Sequence, residues 1–293
     1  MEKHRPSDQG PPPGFSQRWL DLGPERLRLV QGGPAQAPAL VLVHGLGGSA
    51  EDFFGLAPRL SRTRRCFIPD LPGFGLSSLA DTDYGIQYFA NVLERLAAAL
   101  GLARPAWAGH SMGGHIVLWL AAHRPGLVER VAAICPSGGQ NGPSRRHRML
   151  LGALVRGERF LAYNPWLARQ SVAWVFGELW RTRRGTACRQ VQERIVSLWG
   201  GFDRGKRERA LIRSARRLLE EPVFKHVQAI KAPVLLVAGR GDRIVPRLWT
   251  DRLRLHLPAG VKYLEVQGGH MPVYLAVDEL GRALDDFLST PPS

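Results

Sequence analysis

Short apolar runs and longer stretches of helical period alternate through the first half of the chain. "RLRLV" (Arg26 to Val30) and "ALVLV" (Ala39 to Val43) read as strands. "EDFFGLAPRL" reads as a helix and "RRCFIPD" as a strand. "IQYFANVLERLAAALG" repeats apolar residues at helical spacing and stops at Gly101. "RPAWAG" is a short strand, "SMGGHIVLWLAAHRP" a buried helix ended by Pro125, and "VERVAAICP" another strand. Strand and helix in alternation imply βαβ units and a largely parallel sheet. From about Ser137 to Ile230 the strand pattern stops. Helical, Trp-bearing segments are predicted at roughly 144–156, 164–180, 187–199 and 206–219. The strand "APVLLVAG" then resumes the sheet. A helix at about 246–256, the strand "VKYLEV" and a final helix at about 273–288 follow.

This pattern predicts three parts. Residues 1–16, rich in Pro and Gly, form a disordered tail. Residues 17–136 and 231–293 form one α/β core. Residues 137–230 form a helical insertion, either a separate domain or a cap over the carboxyl ends of the strands, where open α/β sheets bind ligands.

"ALVLVHGLGGSA" raises a question about chemistry. Gly45, Gly47 and Ala50 fit the dinucleotide fingerprint G-x-G-x-x-G/A, and Asp70 stands where a ribose-binding acid belongs. A second motif competes with that reading. "WAGHSMGGHI" holds Gly109-His110-Ser111-Met112-Gly113, a G-x-S-x-G between a strand and a helix, which is the setting of a nucleophile elbow. The N–H of Met112 would lie at a helix N-terminus and face a developing oxyanion. A serine hydroxyl needs a base, and the base needs an orienting carboxylate. Asp242 follows the strand "APVLLVAG", and His270 follows "VKYLEV" behind a glycine pair. The order Ser, acid, His is that of one convergent form of the triad.

In these segments the chain resembles the α/β-hydrolase superfamily, in its capped bacterial branch. The likeness runs from about Trp19 to Leu288 and rests on "VLVHGLGG", "DLPGFGLS", "GHSMGG", "GRGDRIVP" and "GGHMP". It implies Ser111 as nucleophile, His270 as base and Asp242 as acid, with oxyanion donors at the backbone N–H groups of Leu46 and Met112. It also implies that "HGLGGSA" serves the oxyanion and that Asp70 opens the "DLPGFG" loop, so the dinucleotide reading gives way. His44, Gly45 and His110 beside the donors, with Trp166 and Trp174 in the cap, are the candidate substrate-contacting residues. Packing is the competing role for His110 and for the cap aromatics.

The resemblance implies ester hydrolysis on small to medium apolar acyl chains, as in carboxylesterases and lipases, without metal or organic cofactor. A carbon–carbon hydrolase of meta-cleavage products is the alternative. Those relatives commonly carry Asn before the serine and Trp after the catalytic histidine, where this chain has His110 and Met271. Cofactor-free perhydrolases share the triad. A ligand receptor on the same fold is the non-enzymatic alternative.

Charge adds one open point. The net charge is +15, and the segment from Ser144 to Lys225 holds 19 Lys and Arg against 7 Asp and Glu. No nucleic-acid motif accompanies it, so a nucleic-acid partner is not expected. A solvated basic face, or weak attraction to anionic lipid or substrate, both fit. Cys66, Cys135 and Cys188 are far apart and suit neither a disulfide framework nor a zinc site, so they read as buried free thiols. No secretory signal opens the chain and no apolar segment spans a bilayer, so the expected setting is cytoplasmic.

Overall fold

The computed structural model describes residues 10–140 and 206–290. Eight strands form one sheet in the order β1-β2-β4-β3-β5-β6-β7-β8. They are β1 (Phe15–Leu22), β2 (Glu25–Gly32), β3 (Ala39–Val43), β4 (Arg65–Pro69), β5 (Ala106–His110), β6 (Val131–Ile134), β7 (Val234–Gly239) and β8 (Lys262–Val266). β1 and β2 pair antiparallel, and β2 pairs antiparallel with β4. Every neighbour from β4 through β3 to β8 is parallel. The described α-helices are α1 (Ala57–Leu60), α2 (Ile86–Ala99), α3 (Met112–His123), α4 (Lys206–Glu220), α5 (Arg247–His256), α6 (Pro272–Leu275) and α7 (Val277–Ser289).

Both faces of the inner parallel strands are buried, and the period of two along each strand divides the core. Val41, Val43, Phe67, Trp107, Val131 and Leu236 join the apolar residues of α2, α3 and α4 on one side. Leu40, Leu42, Ile68, Ala108, Ile134 and Val237 join those of α1 and α7 on the other. This is the doubly covered, mostly parallel sheet expected from the alternation. Among the described residues, no helix is long and apolar enough to cross a membrane.

Three local readings are corrected. β1 escapes the sequence pattern because it is an edge strand: it bonds only β2, and Ser16, Gln17, Arg18 and Trp19 are exposed. Its first residues, Phe15 and Ser16, fall in the stretch assigned to a disordered tail. "EDFFGLAPRL" is not one helix but a 3₁₀ turn (Ala50–Phe53) followed by the short α1. The final helix is divided at Ala276 into α6 and α7.

Of the expected cap, the helices at 144–156, 164–180 and 187–199, with Trp166 and Trp174, lie outside the described residues. The last predicted cap helix is α4. Its arginines fasten it to the loop after β4. Arg207 donates to the Gly75 carbonyl at 2.7 Å and Arg213 to that of Thr82 at 2.7 Å, while Arg217 meets Asp83 at 2.7 Å. Part of the basic charge in this segment is therefore used inside the fold.

Candidate active site

Parallel strands deliver their following loops to one edge of the sheet, and four of those loops meet there. β5 ends at His110 and α3 begins at Met112, so Ser111 alone makes the turn. Its backbone sits at φ 53°, ψ −112°, a region that side-chain-bearing residues rarely adopt. The turn is this tight because glycine flanks it. A Cβ on Gly109 would lie 2.3 Å from the Gly113 backbone, and one on Gly113 would lie 2.0 Å from the Val43 carbonyl oxygen. The Ser111 N–H donates to the Ile134 carbonyl at 2.9 Å, which anchors the turn to β6.

His270 stands above Ser111, with its Nε2 2.9 Å from Ser111 Oγ. Its Nδ1 is 2.8 Å from Asp242 Oδ2. With Nδ1–H donating to the carboxylate, Nε2 is free to accept the serine proton. The other Asp242 oxygen, Oδ1, accepts the N–H groups of Ile244 and Val245 at 2.9 Å each, so the carboxylate is held from behind. The glycine pair before His270 has a physical cause. Gly268 and Gly269 lie at φ 101° and φ 60°, in the left-handed region. Gly239, at the end of β7, is needed as well: a Cβ there would lie 1.7 Å from the Gly269 carbonyl oxygen. The His270 and Asp242 side chains are 8% and 5% exposed.

The loop after β3 closes over the serine. A Cβ on Gly45 would come within 3.2 Å of Ser111 Cβ, so this loop touches the elbow. Gly45, expected to touch substrate, lies beside the Ser111 side chain. The Leu46 N–H follows it directly, and the Met112 N–H opens α3. His44, expected to touch substrate, is instead fully buried and bonded at both ring nitrogens. Nδ1–H donates to its neighbour's carbonyl, Gly45 O, at 2.8 Å, and Nε2 accepts the Leu71 N–H at 2.9 Å. His110, also expected near substrate, is buried behind the base and donates from Nε2 to the His270 carbonyl at 2.6 Å. Both hold backbone in place. Burial and the nearby His270 push the His110 pKa down to about 3, and burial with the nearby His226 does the same to His115.

An ion cluster hidden from sequence reasoning anchors the same loop. Arg28 on β2 reaches Glu51 at 2.7 Å and Asp70 at 3.3 Å, and all three are buried. Asp70 Oδ1 accepts the Ala50 N–H, and Oδ2 accepts the Leu76 N–H, both at 2.7 Å. Asp70 is 0% exposed, so it cannot meet a ribose; it ties the loop after β3 to the loop after β4. A second tie joins the 3₁₀ turn after this loop to α6 behind His270: the Tyr274 hydroxyl donates to Asp52 Oδ1 at 2.5 Å. Nothing in the spacing of residues 28, 51 and 70 signals this cluster. The turn chemistry of "DLPGFG" marks a tight loop, and no more.

Comparison with known proteins places the chain. The family model described as alpha/beta hydrolase fold matches residues 38–277. The chain is 30% identical over 280 residues to the magnesium-chelatase 30 kDa subunit of Rhodobacter capsulatus, covering 91% of this chain and 92% of that one. It is 30% identical over 258 residues to N-formylmaleamate deformylase of Pseudomonas putida, covering 86% and 89%. A hydrolase from Pseudomonas aeruginosa superposes with a TM-score of 0.78 at 22% identity, covering 95% of this chain and 99% of that one. Doubly covered sheet, serine at the β5–α3 turn and matched family model agree: this chain is a member of the α/β-hydrolase family.

Proposed function

We propose that the chain is a cofactor-free, cytoplasmic serine hydrolase that cleaves carboxylic esters of small to medium apolar acyl groups through an acyl-enzyme on Ser111. The observation that carries this is the unbroken relay from Ser111 Oγ to His270 Nε2 (2.9 Å) and from His270 Nδ1 to Asp242 Oδ2 (2.8 Å), built on a strained turn. Ser111 Oγ attacks the carbonyl carbon as His270 Nε2 takes its proton. The charge on the carbonyl oxygen is met by the N–H groups of Leu46 and Met112. The tetrahedral adduct collapses, His270 returns the proton to the leaving oxygen, and the acyl group stays on Ser111. His270 then draws a proton from water, which attacks the acyl-enzyme and releases the acid. Asp242 keeps the imidazole in one tautomer and stabilises the imidazolium that forms twice in the cycle.

The same machinery cleaves acyl C–N bonds. That second reading is favoured by the relative named a formylmaleamate deformylase, at 30% identity across most of both chains. A non-catalytic role has its own support in the relative named as a subunit of magnesium chelatase. One panel separates these three readings and the carbon–carbon alternative. Turnover of p-nitrophenyl esters of increasing acyl length is measured beside N-formyl amides and a meta-cleavage dienoate. The ester reading expects turnover that peaks at short to medium chains and vanishes in Ser111→Ala. Preference for the formyl amides moves the assignment to C–N hydrolysis, preference for the dienoate to C–C hydrolysis. A folded protein inert to all of them overturns the enzymatic reading.

A further inference from the structure

Behind the Asp242–His270 pair lies a thiol that the proposed reaction does not use. Cys135 ends β6 with its backbone at φ 45°, one of three non-glycine residues in the left-handed region among the described residues. Such a conformation is held only where surroundings enforce it. Here the Cys135 N–H donates to the Val237 carbonyl at 2.7 Å. The side chain is buried, with Sγ 3.7 Å from the Gly269 carbonyl oxygen. Missing bulk at Gly239 leaves room for it: a Cβ there would lie 3.2 Å from the sulfur. The Cys135 sulfur, an Asp242 carboxylate oxygen and a His270 ring nitrogen all lie within 4.8 Å of one another.

We infer that Cys135, Asp242 and His270 form an inhibitory site for a soft divalent cation such as Zn²⁺ or Cd²⁺. Thiolate, imidazole and carboxylate form a typical zinc donor set, with bonds of roughly 2.0–2.3 Å. Tetrahedral ligands at those lengths stand about 3.3–3.8 Å apart, so the cluster closes on a cation with side-chain shifts of an ångström or less. The Gly269 carbonyl or a water completes the shell. Binding releases one proton to solvent, from Sγ–H, and shifts the single His270 ring proton from Nδ1 to Nε2, so the ligand is a thiolate beside a neutral imidazole. Hard Mg²⁺ has no affinity for a thiolate and is excluded by donor type. A cation on Nδ1 takes the place of the proton that Asp242 orients and leaves Nε2 protonated, so Ser111 loses its proton acceptor. The burial of all three side chains makes the onset slow. Only this inhibitory consequence rests on the proposed serine-hydrolase reading; the binding itself does not.

The test is a titration of Cd²⁺, and then Zn²⁺, into the full chain, in wild type, Cys135→Ala, Cys135→Ser, Cys66→Ala and Cys188→Ala. One readout is the ultraviolet thiolate-to-Cd²⁺ charge-transfer band. The other is ester turnover, each variant scaled to its own metal-free rate. The site predicts the band in wild type and in the Cys66 and Cys188 variants, and none in either Cys135 variant. It predicts a half-inhibiting concentration at least tenfold higher in both Cys135 variants, since removing even a group that supports a ligand costs about 10- to 100-fold in affinity. A band that persists without Cys135, no band in wild type, or equal inhibition by Mg²⁺ overturns it. A protein that shows the band but turns over no ester keeps the site and loses the ester-hydrolase reading. Cys135→Ser fills nearly the same volume, so the comparison survives should the alanine variant fail to fold.

Discussion

Ser111 is held at φ 53°, ψ −112°, where a Cβ is unfavourable and glycine is at ease. Replacing it by Ala and by Gly removes the hydroxyl and its bond to His270 in both cases. The two variants then differ only in the Cβ. At an ordinary position glycine is the less stable of the pair by about 0.5–1 kcal/mol, because the unfolded chain gains freedom. At a strained position the Cβ costs about 1–3 kcal/mol. Taking mid-range values, Ser111→Gly exceeds Ser111→Ala in stability by about 1 kcal/mol, or about 2–4 °C in Tm for a chain of this size. Urea and thermal unfolding of the two purified variants measure the difference. The sign decides: Ala more stable than Gly would mean that the elbow stores no strain, and the geometric basis of the site would fail.

Three further outcomes follow from particular residues. A Cβ on Gly113 would lie 2.0 Å from the Val43 carbonyl oxygen, which is backbone and cannot step aside, whereas one on Gly126 meets nothing within 4 Å. Gly113→Ala should therefore destabilise by about 3 kcal/mol or more and Gly126→Ala by less than about 1 kcal/mol, both read from urea midpoints; equal costs would refute the close approach. His110 and His115, with pKa values lowered to about 3, stay neutral in the fold while the unfolded chain protonates near 6.5. The unfolded state then binds more protons below 6.5, so the stability these histidines contribute is complete above that pH and is lost as pH falls toward 3. From pH 7 to 5.5 each accounts for about 1.2 kcal/mol, and His115→Gln should reduce the pH slope of unfolding by that much; an unchanged slope contradicts the neutral burial. Arg28→Met leaves Glu51 and Asp70 buried without their cation. Its expected cost is about 3–5 kcal/mol by chemical denaturation, and a near-neutral change would show that the cluster does not anchor the loop.

Much of this molecule was legible in the chain, for reasons that differ by element. The buried parallel strands read clearly because "ALVLV" and "APVLLVAG" are apolar on both faces. β1 did not, because an edge strand with most of its residues exposed carries little alternation. Ser111, Asp242 and His270 were legible because tight turns demand glycine, and glycine stands out: Gly109 and Gly113 at the elbow, Gly268 and Gly269 before the histidine. What escaped was pairing at a distance. Arg28, Glu51 and Asp70 look like surface charges until the sheet brings β2 and β4 side by side. His44 and His110 look like substrate contacts until Nε2 of each is seen bonded to backbone. Cys135 reads as an inert buried thiol until β6 and β7 place it behind Asp242.

The proposed function stands on the activation of Ser111 by His270 and Asp242. Intact-mass analysis after reaction with a fluorophosphonate probe tests it directly, because the probe phosphonylates only a serine whose proton is taken as fluoride leaves. The expected result is a single adduct on wild type, none on Ser111→Ala, and strongly slowed labelling in Asp242→Asn. An adduct that survives in Ser111→Ala, or folded wild-type protein that takes up no probe, would contradict it.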